Sequence, residues 1–240
     1  MRSPRASKGL GLGKPRQRAA GRDWQMESMK TVLCYGDSLT WGYDPEGPGR
    51  HHFEDRWTSV LASALGPEVT VIAEGLNGRT TGFDDYLADC DRNGVRSLPT
   101  VLHTHMPLDL VIIMLGTNDM KPAIAGTAIA ARQGLQRLVS LIRHHEWSFD
   151  YDAPDVLVVS PPPLCDTADP TFAAMFAGGV EQSKMLASLY RDLADDMGCG
   201  FYDAASAAST TPLDGVHLNA ENTRALGKGL EPIVRMMLGI

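Results

Sequence analysis

The sequence predicts an α/β fold, in which one parallel sheet of five strands lies between two layers of helices as a three-layer α/β/α sandwich. Three observations support this prediction. From Lys30 onward, short apolar segments alternate with longer segments whose apolar residues recur at helical spacing, as in consecutive β-α-β units. The segment Asp109–Leu115 is apolar without alternation, which is typical of a central parallel strand buried on both faces. A chain of 240 residues is long enough for one such domain and short for two.

Five segments have the composition of strands, and the first four are followed within two residues by glycine or proline. In chain order they are Thr31–Tyr35, Val69–Ala73, Asp109–Leu115, Asp155–Ser160 and Gly200–Asp203. Right-handed crossover connections place the intervening helices on both faces of the sheet. The carboxyl ends of the strands then lie at one edge, where ligands bind in open α/β sheets. The residues that follow each strand are therefore the first place to look for a functional site.

Five segments between or after the strands have the apolar spacing of helices. In chain order they are Arg56–Leu65, Gly94–Thr104, Thr127–His145, Gly179–Gly198 and Ala220–Leu238, and Pro99 is a possible early break in the second. The loop Pro161–Gly179 is unusually apolar and contains Phe172, Met175 and Phe176. Exposed apolar loops near a site often mark a lid or a subunit interface. We therefore expect this loop to narrow the ligand pocket and to contribute to contacts in a homo-oligomer.

The formal net charge of −7 is distributed unevenly along the chain. Residues 1–29 contain seven Lys or Arg residues and two acidic residues, which leaves a net charge of −12 on residues 30–240. An acidic domain is poorly suited to bind a phosphate backbone, so no nucleic-acid partner is expected. Residues 1–29 are rich in Gly, Pro and small polar residues, and we expect them to be a disordered basic extension before a single domain of residues 30–240.

Composition also bears on the cellular compartment. The longest apolar run, Leu110–Leu115, is much shorter than the about 20 residues of a membrane-spanning helix. Residues 9–13 are too few and too rich in glycine for the apolar core of a signal peptide. The four cysteines lie far apart, which indicates neither a disulfide framework nor a zinc site. We expect a cytoplasmic protein with no membrane partner.

Polar residues that follow the predicted strands suit acyl transfer. Ser38 follows the first strand and becomes a nucleophile if a base removes its proton. His217 suits the role of base because imidazole titrates near neutrality, and Asp214 could hold it in one tautomer. The backbone N–H groups of Ser38 and Gly78 and the side-chain amide of Asn118 are candidate donors to the developing oxyanion.

Each of these residues alone has a simpler interpretation. Ser38 and Asp214 could cap helices, Asn118 could stabilise a turn, and Gly78 could supply an unusual backbone angle. Their joint occurrence at the predicted ligand-binding edge favours a catalytic site.

Four sequence blocks resemble those of the SGNH, or GDSL-type, hydrolase family. The blocks are GDSL at 36–39, the glycine at 78, GTND at 116–119 and DGVH at 214–217. They occur in the family's order, and the match that they define spans nearly the whole chain after Lys30. The resemblance implies a flavodoxin-like sheet topology and assigns to Ser38, Asp214, His217, Gly78 and Asn118 the roles given above.

A narrower resemblance is to the bacterial arylesterase and acyltransferase branch of this family. It is carried by GDSLTWG, EGLNGRTT, HMPLDLVIIMLGTND, VLVVSPPPL and DGVHL. It implies hydrolysis of short-chain esters, acyl transfer to alcohols or hydrogen peroxide as a side activity, and homo-oligomers whose neighbouring subunits help to wall the site. That branch also accepts alanine at position 78, whereas Gly78 follows the wider family, and either residue supplies its N–H.

Three further residues are predicted to contact substrate, namely Trp41, Asp37 and Arg79. Each has an alternative, since Trp41 could pack in the core, Asp37 could steady its loop, and Arg79 could pair with loop neighbours. The histidine pairs at 51–52, 103/105 and 144–145 lack further ligands at metal-binding spacing. Neither a metal nor another cofactor is expected.

The leading functional prediction is a serine esterase that acts on small-molecule, short-chain carboxylic esters. One alternative is a deacetylase of acetylated carbohydrates, since related families use the same residues. Another is a non-catalytic domain that binds a phosphate-bearing ligand, although the first loop lacks the glycines and lysine of phosphate-binding motifs. The α/β-hydrolase fold shares the order Ser…Asp…His, but its serine lies in a Gly-x-Ser-x-Gly elbow, which Ser38 lacks.

Overall fold

The computed structural model describes residues 29–240, so the predicted disordered extension, Met29 apart, lies outside the described residues. The strands are β1 (Lys30–Gly36), β2 (Val69–Gly75), β3 (Leu110–Met114), β4 (Asp155–Ser160) and β5 (Gly200–Asp203). They form one parallel sheet in the order β2-β1-β3-β4-β5. The predicted α/β class with a five-stranded parallel sheet is confirmed.

Eight α-helices occur within residues 29–240. In chain order they are α1 (Ser38–Trp41), α2 (Trp57–Leu65), α3 (Gly94–His105), α4 (Ala128–Arg143), α5 (Pro170–Met175), α6 (Gly179–Ser183), α7 (Leu186–Met197) and α8 (Ala220–Leu238). Side chains of Asn93, Thr127 and Asn219 accept backbone N–H groups at the starts of α3, α4 and α8, which satisfies donors that a helix leaves free. None of the helices in this part of the chain has the length and apolar composition of a membrane span.

Alternate residues of the strands point to opposite faces of the sheet, which produces two apolar cores. In β1, Leu33 and Tyr35 pack in the core that contains α3, α4 and α7. Val32 and Cys34 pack in the other core, with α2 and α8. Helices therefore cover both faces, and β3, which lies at the centre, is buried along its whole length.

The sheet topology places three loops side by side. The chain passes from β1 to β2 on one side and then crosses to β3 on the other side of β1. Gly36 at the end of β1 lies opposite both Gly75 of β2 and Met114 of β3, so the three strands end at the same level. A reversal of strand order opens a crevice at the carboxyl edge of such a sheet.

Two helical predictions differ from the structure. The helix predicted for Gly179–Gly198 is divided into α6 and α7. The hydroxyl of Ser183 donates to the carbonyl of Val180 and accepts the N–H of Leu164, and such side-chain bonds compete with helix continuation. Helix α3 continues through Pro99, although a proline at that position is a possible early break.

The apolar loop Pro161–Gly179 contains a helix that the sequence analysis did not predict. Helix α5 begins at Pro170, whose fixed backbone angle suits a first helical position. The carboxylate of Asp169 caps it by accepting the N–H groups of Thr171 and Phe172. This short helix places aromatic side chains over the carboxyl edge of the sheet.

Candidate active site

Ser38 lies at the start of α1, directly beyond the carboxyl end of β1. The carboxylate of Asp37 accepts the N–H of Leu39 at 3.0 Å and so caps this one-turn helix. A Cβ at Gly75 would clash with the backbone nitrogen of Trp41. Glycine at the end of β2 therefore allows α1 to pack directly against that strand, which fixes the position of the serine.

Ser38, His217 and Asp214 form a continuous hydrogen-bonded chain. Nε2 of His217 lies 2.9 Å from Oγ of Ser38, and Nδ1 lies 2.6 Å from Oδ2 of Asp214. The other carboxylate oxygen, Oδ1, accepts the N–H groups of Val216 and His217, both at 2.9 Å. The two backbone bonds fix the carboxylate, which in turn orients the imidazole. All three side chains are buried.

Asp214 is ionised at neutral pH. Burial raises its pKa, but hydrogen bonds from the side chain and backbone of His217 outweigh that effect, and the pKa lies below its ordinary value. An ionised carboxylate holds a proton on Nδ1 and leaves the lone pair of Nε2 facing Ser38. This arrangement can remove the proton from the Ser38 hydroxyl.

The backbone around Ser38 offers two unused donors. Within residues 29–240, the N–H groups of Ser38 and Gly78 donate no hydrogen bond to another protein atom, and both residues line the same cavity. Gly78 has φ = 80°, in the left-handed region that favours glycine. The amide nitrogen of Asn118 lies 3.2 Å from the carbonyl oxygen of Arg79 and 3.4 Å from Oδ2 of Asp37. These contacts hold the amide at the wall of the cavity.

A buried polar network lies beneath these donors. The guanidinium of Arg79 donates to the carbonyl oxygens of Gly36 and Glu74, which ties together the ends of β1 and β2. Asp119 accepts both the N–H and the hydroxyl of Thr81, which ties the loop after β3 to the loop after β2. The network therefore fixes the relative positions of the loops that carry Ser38, Gly78 and Asn118.

Two carboxyl groups of this region are fully buried and hold protons unusually well. Burial raises the pKa of Asp37 to about 7 and the pKa of Asp119 to about 6. The charge of Asp119 also raises the pKa of Asp37, and hydrogen bonds from Leu39 and Thr81 oppose the two shifts only in part. In the unfolded chain, both groups titrate near the ordinary value of about 3.9.

The raised pKa of Asp37 predicts that stability depends on pH. A carboxyl group whose folded-state pKa is raised stabilises the fold below its unfolded pKa, and this contribution is lost as the pH rises through the folded pKa. The Asp37→Asn variant cannot titrate at this position. Its free energy of unfolding relative to wild type should therefore increase by on the order of 3 kcal/mol between pH 4 and pH 8. Urea denaturation across that range measures the difference, and a difference independent of pH would contradict the expectation.

The triad opens into a small cavity. Its volume is about 150 Å³, whereas pockets for drug-sized ligands span roughly 300–1,000 Å³. Phe172, Met175, Phe176 and Val216 form its apolar wall. Three of these residues belong to the loop Pro161–Gly179, so this loop narrows the cavity as predicted, while its role in subunit contacts stays a prediction.

Two aromatic rings hold the imidazole of His217. The ring of Tyr43 stacks on it with centroids 4.1 Å apart and an interplanar angle of 27°. The ring of Phe172 meets it edge-on, with centroids 6.0 Å apart and an angle of 85°. Tyr43 was not predicted to belong to the site, because nothing in the chain order shows which aromatic residue stacks on a histidine more than a hundred residues away.

None of the three residues predicted to contact substrate, namely Trp41, Asp37 and Arg79, lines the cavity that contains Ser38, and their contact with substrate stays a prediction. Trp41 packs against the guanidinium of Arg50, which lies 4.9 Å from the ring centroid. Arg79 belongs to the buried network, and Asp37 caps α1. Asp37 and Arg79 act on the site indirectly, through the two contacts that hold the amide of Asn118.

At least one histidine of each pair noted in the sequence packs against another ring or forms a hydrogen bond. The ring of His145 meets those of His103 and Trp147 edge-on, and Nε2 of His51 lies 2.9 Å from the carbonyl oxygen of Leu218. Across residues 29–240, no three His, Cys, Asp or Glu side chains are close enough together to hold a metal ion.

Two cations in the cavity wall were not assigned from the sequence. Lys121 follows the GTND block and Arg92 precedes α3, and both line the cavity that contains Ser38. The one sequence signal that could have placed Lys121 at the site was its position shortly after the end of a predicted strand. Arg92 lies in an irregular loop far from any predicted strand end, so only the folded structure reveals its place.

The doubly wound fold and the Ser-His-Asp chain at its carboxyl edge define a serine-dependent hydrolase. A model of the GDSL-like lipase/acylhydrolase family matches residues 34–225, and the chain belongs to this family. No match was found among curated proteins.

Several solved structures resemble this chain closely. A carbohydrate acetylesterase family member from Sinorhizobium meliloti is 70% identical, with a TM-score of 0.87 over 88% of this chain and 100% of that chain. The aryl esterase of M. smegmatis is 44% identical, with a TM-score of 0.83 over 87% of this chain and 99% of that chain. Est24, a carbohydrate acetylesterase from Sinorhizobium meliloti, is 44% identical, with a TM-score of 0.82 over 87% and 99% of the two chains. The chain is therefore a carboxylic-ester hydrolase.

Proposed function

We propose that this enzyme hydrolyses short-chain carboxylic esters through an acyl-enzyme on Ser38. His217 takes the proton of the Ser38 hydroxyl through Nε2, and Oγ attacks the carbonyl carbon of the ester. The tetrahedral intermediate collapses when the protonated His217 gives its proton to the departing alcohol oxygen. His217 then deprotonates a water molecule, which attacks the acyl-enzyme, and the carboxylic acid leaves as Ser38 regains its proton.

The observation that carries this proposal is the hydrogen-bonded chain from Asp214 through His217 to Ser38, beside backbone N–H groups that have no hydrogen-bond partner among residues 29–240. A tetrahedral intermediate places a negative charge on the former carbonyl oxygen, and preorganised donors stabilise that charge. The N–H groups of Ser38 and Gly78 are free to do so. The amide of Asn118 contributes as well, because its 3.4 Å contact with Asp37 is long enough to yield to an oxyanion.

The loss of the Asn118 amide should slow the chemical step. We expect Asn118→Ala to lower kcat by about 10²–10³-fold with a smaller change in KM, because the bond strengthens only as the oxyanion forms. Steady-state kinetics with p-nitrophenyl acetate measure both constants. A variant with unchanged kcat and a raised KM would show that Asn118 binds the ground state instead.

The size of the cavity supports a limit on acyl length. A volume of about 150 Å³ accommodates an acetyl group more readily than a long chain. The experiment that tests the function is hydrolysis of p-nitrophenyl acetate, butyrate and octanoate. We expect kcat/KM to fall steeply from acetate to octanoate. A preference for octanoate would contradict a short-chain esterase, and no hydrolysis of any of the three would contradict esterase activity towards aryl esters.

A second candidate is the deacetylation of carbohydrates, which the carbohydrate acetylesterase family member at 70% identity favours. Removal of an acetyl group from a sugar requires the same triad and the same small acyl site. The two candidates differ in the alcohol. Comparison of kcat/KM for phenyl acetate and acetylated xylose decides between them, since an aryl esterase prefers the former and a sugar deacetylase the latter.

Further parts of the proposal concern acyl transfer, assembly and compartment. An alcohol or hydrogen peroxide that replaces water at the acyl-enzyme would give an ester or a peracid.

The half-exposed Met175 beside the cavity supports a homo-oligomeric contact at the loop Pro161–Gly179, and light scattering that shows a monomer would count against it. The four cysteines are free thiols, which supports a cytoplasmic, reducing environment.

A further inference from the structure

Two cations lie in the wall of the cavity that contains the nucleophile, in a domain that is otherwise acidic. Lys121 and Arg92 line the same cavity as Ser38, although the chain carries a net charge of −7. The hydrolytic mechanism above uses neither of them. The two positive charges are therefore available to act on a ligand in the cavity.

Lys121 is a half-buried cation. Within residues 29–240, its ammonium group forms no ion pair and donates no hydrogen bond. Its Nζ lies 5.3 Å from the ring centroid of Phe176, which is a weaker compensation than a carboxylate. Burial lowers the pKa of Lys121, and the nearby charge of Arg92 lowers it too, whereas the charges of Asp85, Asp37 and Asp119 oppose the shift.

Arg92 is only loosely paired. Its guanidinium lies 3.7 Å from Oδ2 of Asp85 and 3.3 Å from Oδ1 of Asp89, longer than the about 2.7–2.9 Å of strong charge-assisted hydrogen bonds. The side chain of Asp89 is 89% exposed, and water weakens such a pair. The Nε atom of Arg92 is buried and has no hydrogen-bond partner in the part of the chain that the structure describes. The guanidinium therefore retains capacity for another anion.

Glycine at position 78 brings Arg92 close to the reacting centre. A Cβ built on Gly78 would lie 2.6 Å from Nη1 of Arg92. The guanidinium thus packs against the backbone of a proposed oxyanion donor. A side chain at this position would push Arg92 away from that donor.

We propose that Arg92 and Lys121 form an anion-binding subsite beside Ser38, which selects short-chain esters that carry a carboxylate. This inference rests on the proposed esterase function and adds a substrate class to it. A carboxylate near both cations would pair with the ammonium group of Lys121 and would give the loosely paired guanidinium of Arg92 a closer partner. A guanidinium can also orient a carboxylate through paired N–H groups. Because the cavity is partly shielded from water, these attractions are stronger than on an open surface.

The test uses matched pairs of esters that differ in charge. One pair is 4-acetoxybenzoate and its methyl ester, in which the carboxylate is on the leaving group. The other is the half phenyl ester of succinate and its methyl ester, in which the carboxylate is on the acyl group. The quantity measured is the ratio of kcat/KM for the anionic ester to kcat/KM for the neutral ester, compared between proteins so that intrinsic differences in reactivity cancel.

We expect Lys121→Met and Arg92→Gln each to lower this ratio by about tenfold for at least one pair of esters. The pair that is affected shows whether the subsite binds a carboxylate on the leaving group or on the acyl group. The control Lys228→Met removes an exposed cation of α8 that does not line the site, and it should leave the ratio unchanged. High salt should lower the wild-type ratio, because salt screens the attraction.

If a variant loses kcat/KM equally for the anionic and the neutral ester, the proposal is overturned. The two cations would then act on the oxyanion or on the buried carboxylates, and not on a substrate carboxylate. Absence of hydrolysis of every ester by wild type would refute the esterase function itself. If a variant fails to fold, wild type alone still gives a test through inhibition of neutral-ester hydrolysis. Benzoate should then inhibit more strongly than benzamide, with the difference lost at high salt, and equal inhibition would refute the subsite.

Discussion

Replacement of Ser38 by alanine is expected to lower kcat/KM for p-nitrophenyl acetate by about 10⁴–10⁶-fold. The reason is that the variant keeps the cavity and the oxyanion donors but has no oxygen 2.9 Å from Nε2 of His217 to attack the ester. Initial rates at several substrate concentrations measure the loss. Far-UV circular dichroism and thermal unfolding should be close to wild type, because the hydroxyl makes no bond that α1 requires.

The matched control is Ser63→Ala, which removes an exposed hydroxyl from α2 and should leave kcat/KM unchanged. Ser38→Ala that retains more than about one hundredth of wild-type activity would be incompatible with a nucleophilic role, since loss of a triad nucleophile costs far more. Contaminating esterase activity is recognised because it persists after the variant protein is depleted.

Replacement of Asp214 by asparagine is expected to lower kcat by about 10⁴-fold. The asparagine can retain the two backbone bonds at Oδ1 and direct its NH₂ group towards Nδ1 of His217. The imidazole must then carry its proton on Nε2, the atom that faces Ser38. A histidine in that tautomer cannot accept the serine proton, although the geometry is nearly unchanged.

The control Asp166→Asn makes the same change in an exposed side chain near the site. It should keep wild-type kcat, which separates the effect of tautomer from that of net charge. The double variant Ser38→Ala/Asp214→Asn should be no less active than Ser38→Ala alone, because the triad acts as a unit. Losses that multiply would show that Asp214 acts independently of Ser38.

The sequence was sufficient to predict the sheet and the convergence of the candidate catalytic residues at its carboxyl edge. Buried strands such as Leu110–Met114 carry a local signal, and a parallel sheet brings the ends of its strands to one edge regardless of helix details. Ser38, Gly78 and Asn118 each follow one of these strands, so their convergence followed from topology. His217 and Asp214 lie on a single turn, where the i to i+3 spacing itself allows the carboxylate to reach the ring.

The sequence was not sufficient to predict which side chains face the cavity. Trp41 follows the nucleophile closely, yet the helical turn of α1 directs it towards Arg50 instead. Arg79 adjoins an oxyanion donor, but its guanidinium turns inward to carbonyl oxygens of β1 and β2. Such orientations depend on rotamers and on long-range partners, which periodicity does not encode. Tyr43 and Lys121 were missed for the same reason.

The division of the predicted Gly179–Gly198 helix shows a related limit. Apolar spacing continues across Ser183, so the pattern favours one helix. At the break, the Ser183 hydroxyl accepts the N–H of Leu164, which lies on a different segment. A long-range hydrogen bond can compete with the helical preference that the local apolar spacing indicates.

The most direct test of the central claim is to trap the acyl-enzyme. Wild type and Ser38→Ala are mixed with p-nitrophenyl acetate, quenched in acid within the first turnover, digested and analysed by mass spectrometry. We predict one acetyl group on the peptide that contains Ser38 in wild type and none in the variant. An acetyl group on another residue, or rapid turnover with no acetylated peptide at any quench time, would contradict catalysis through Ser38.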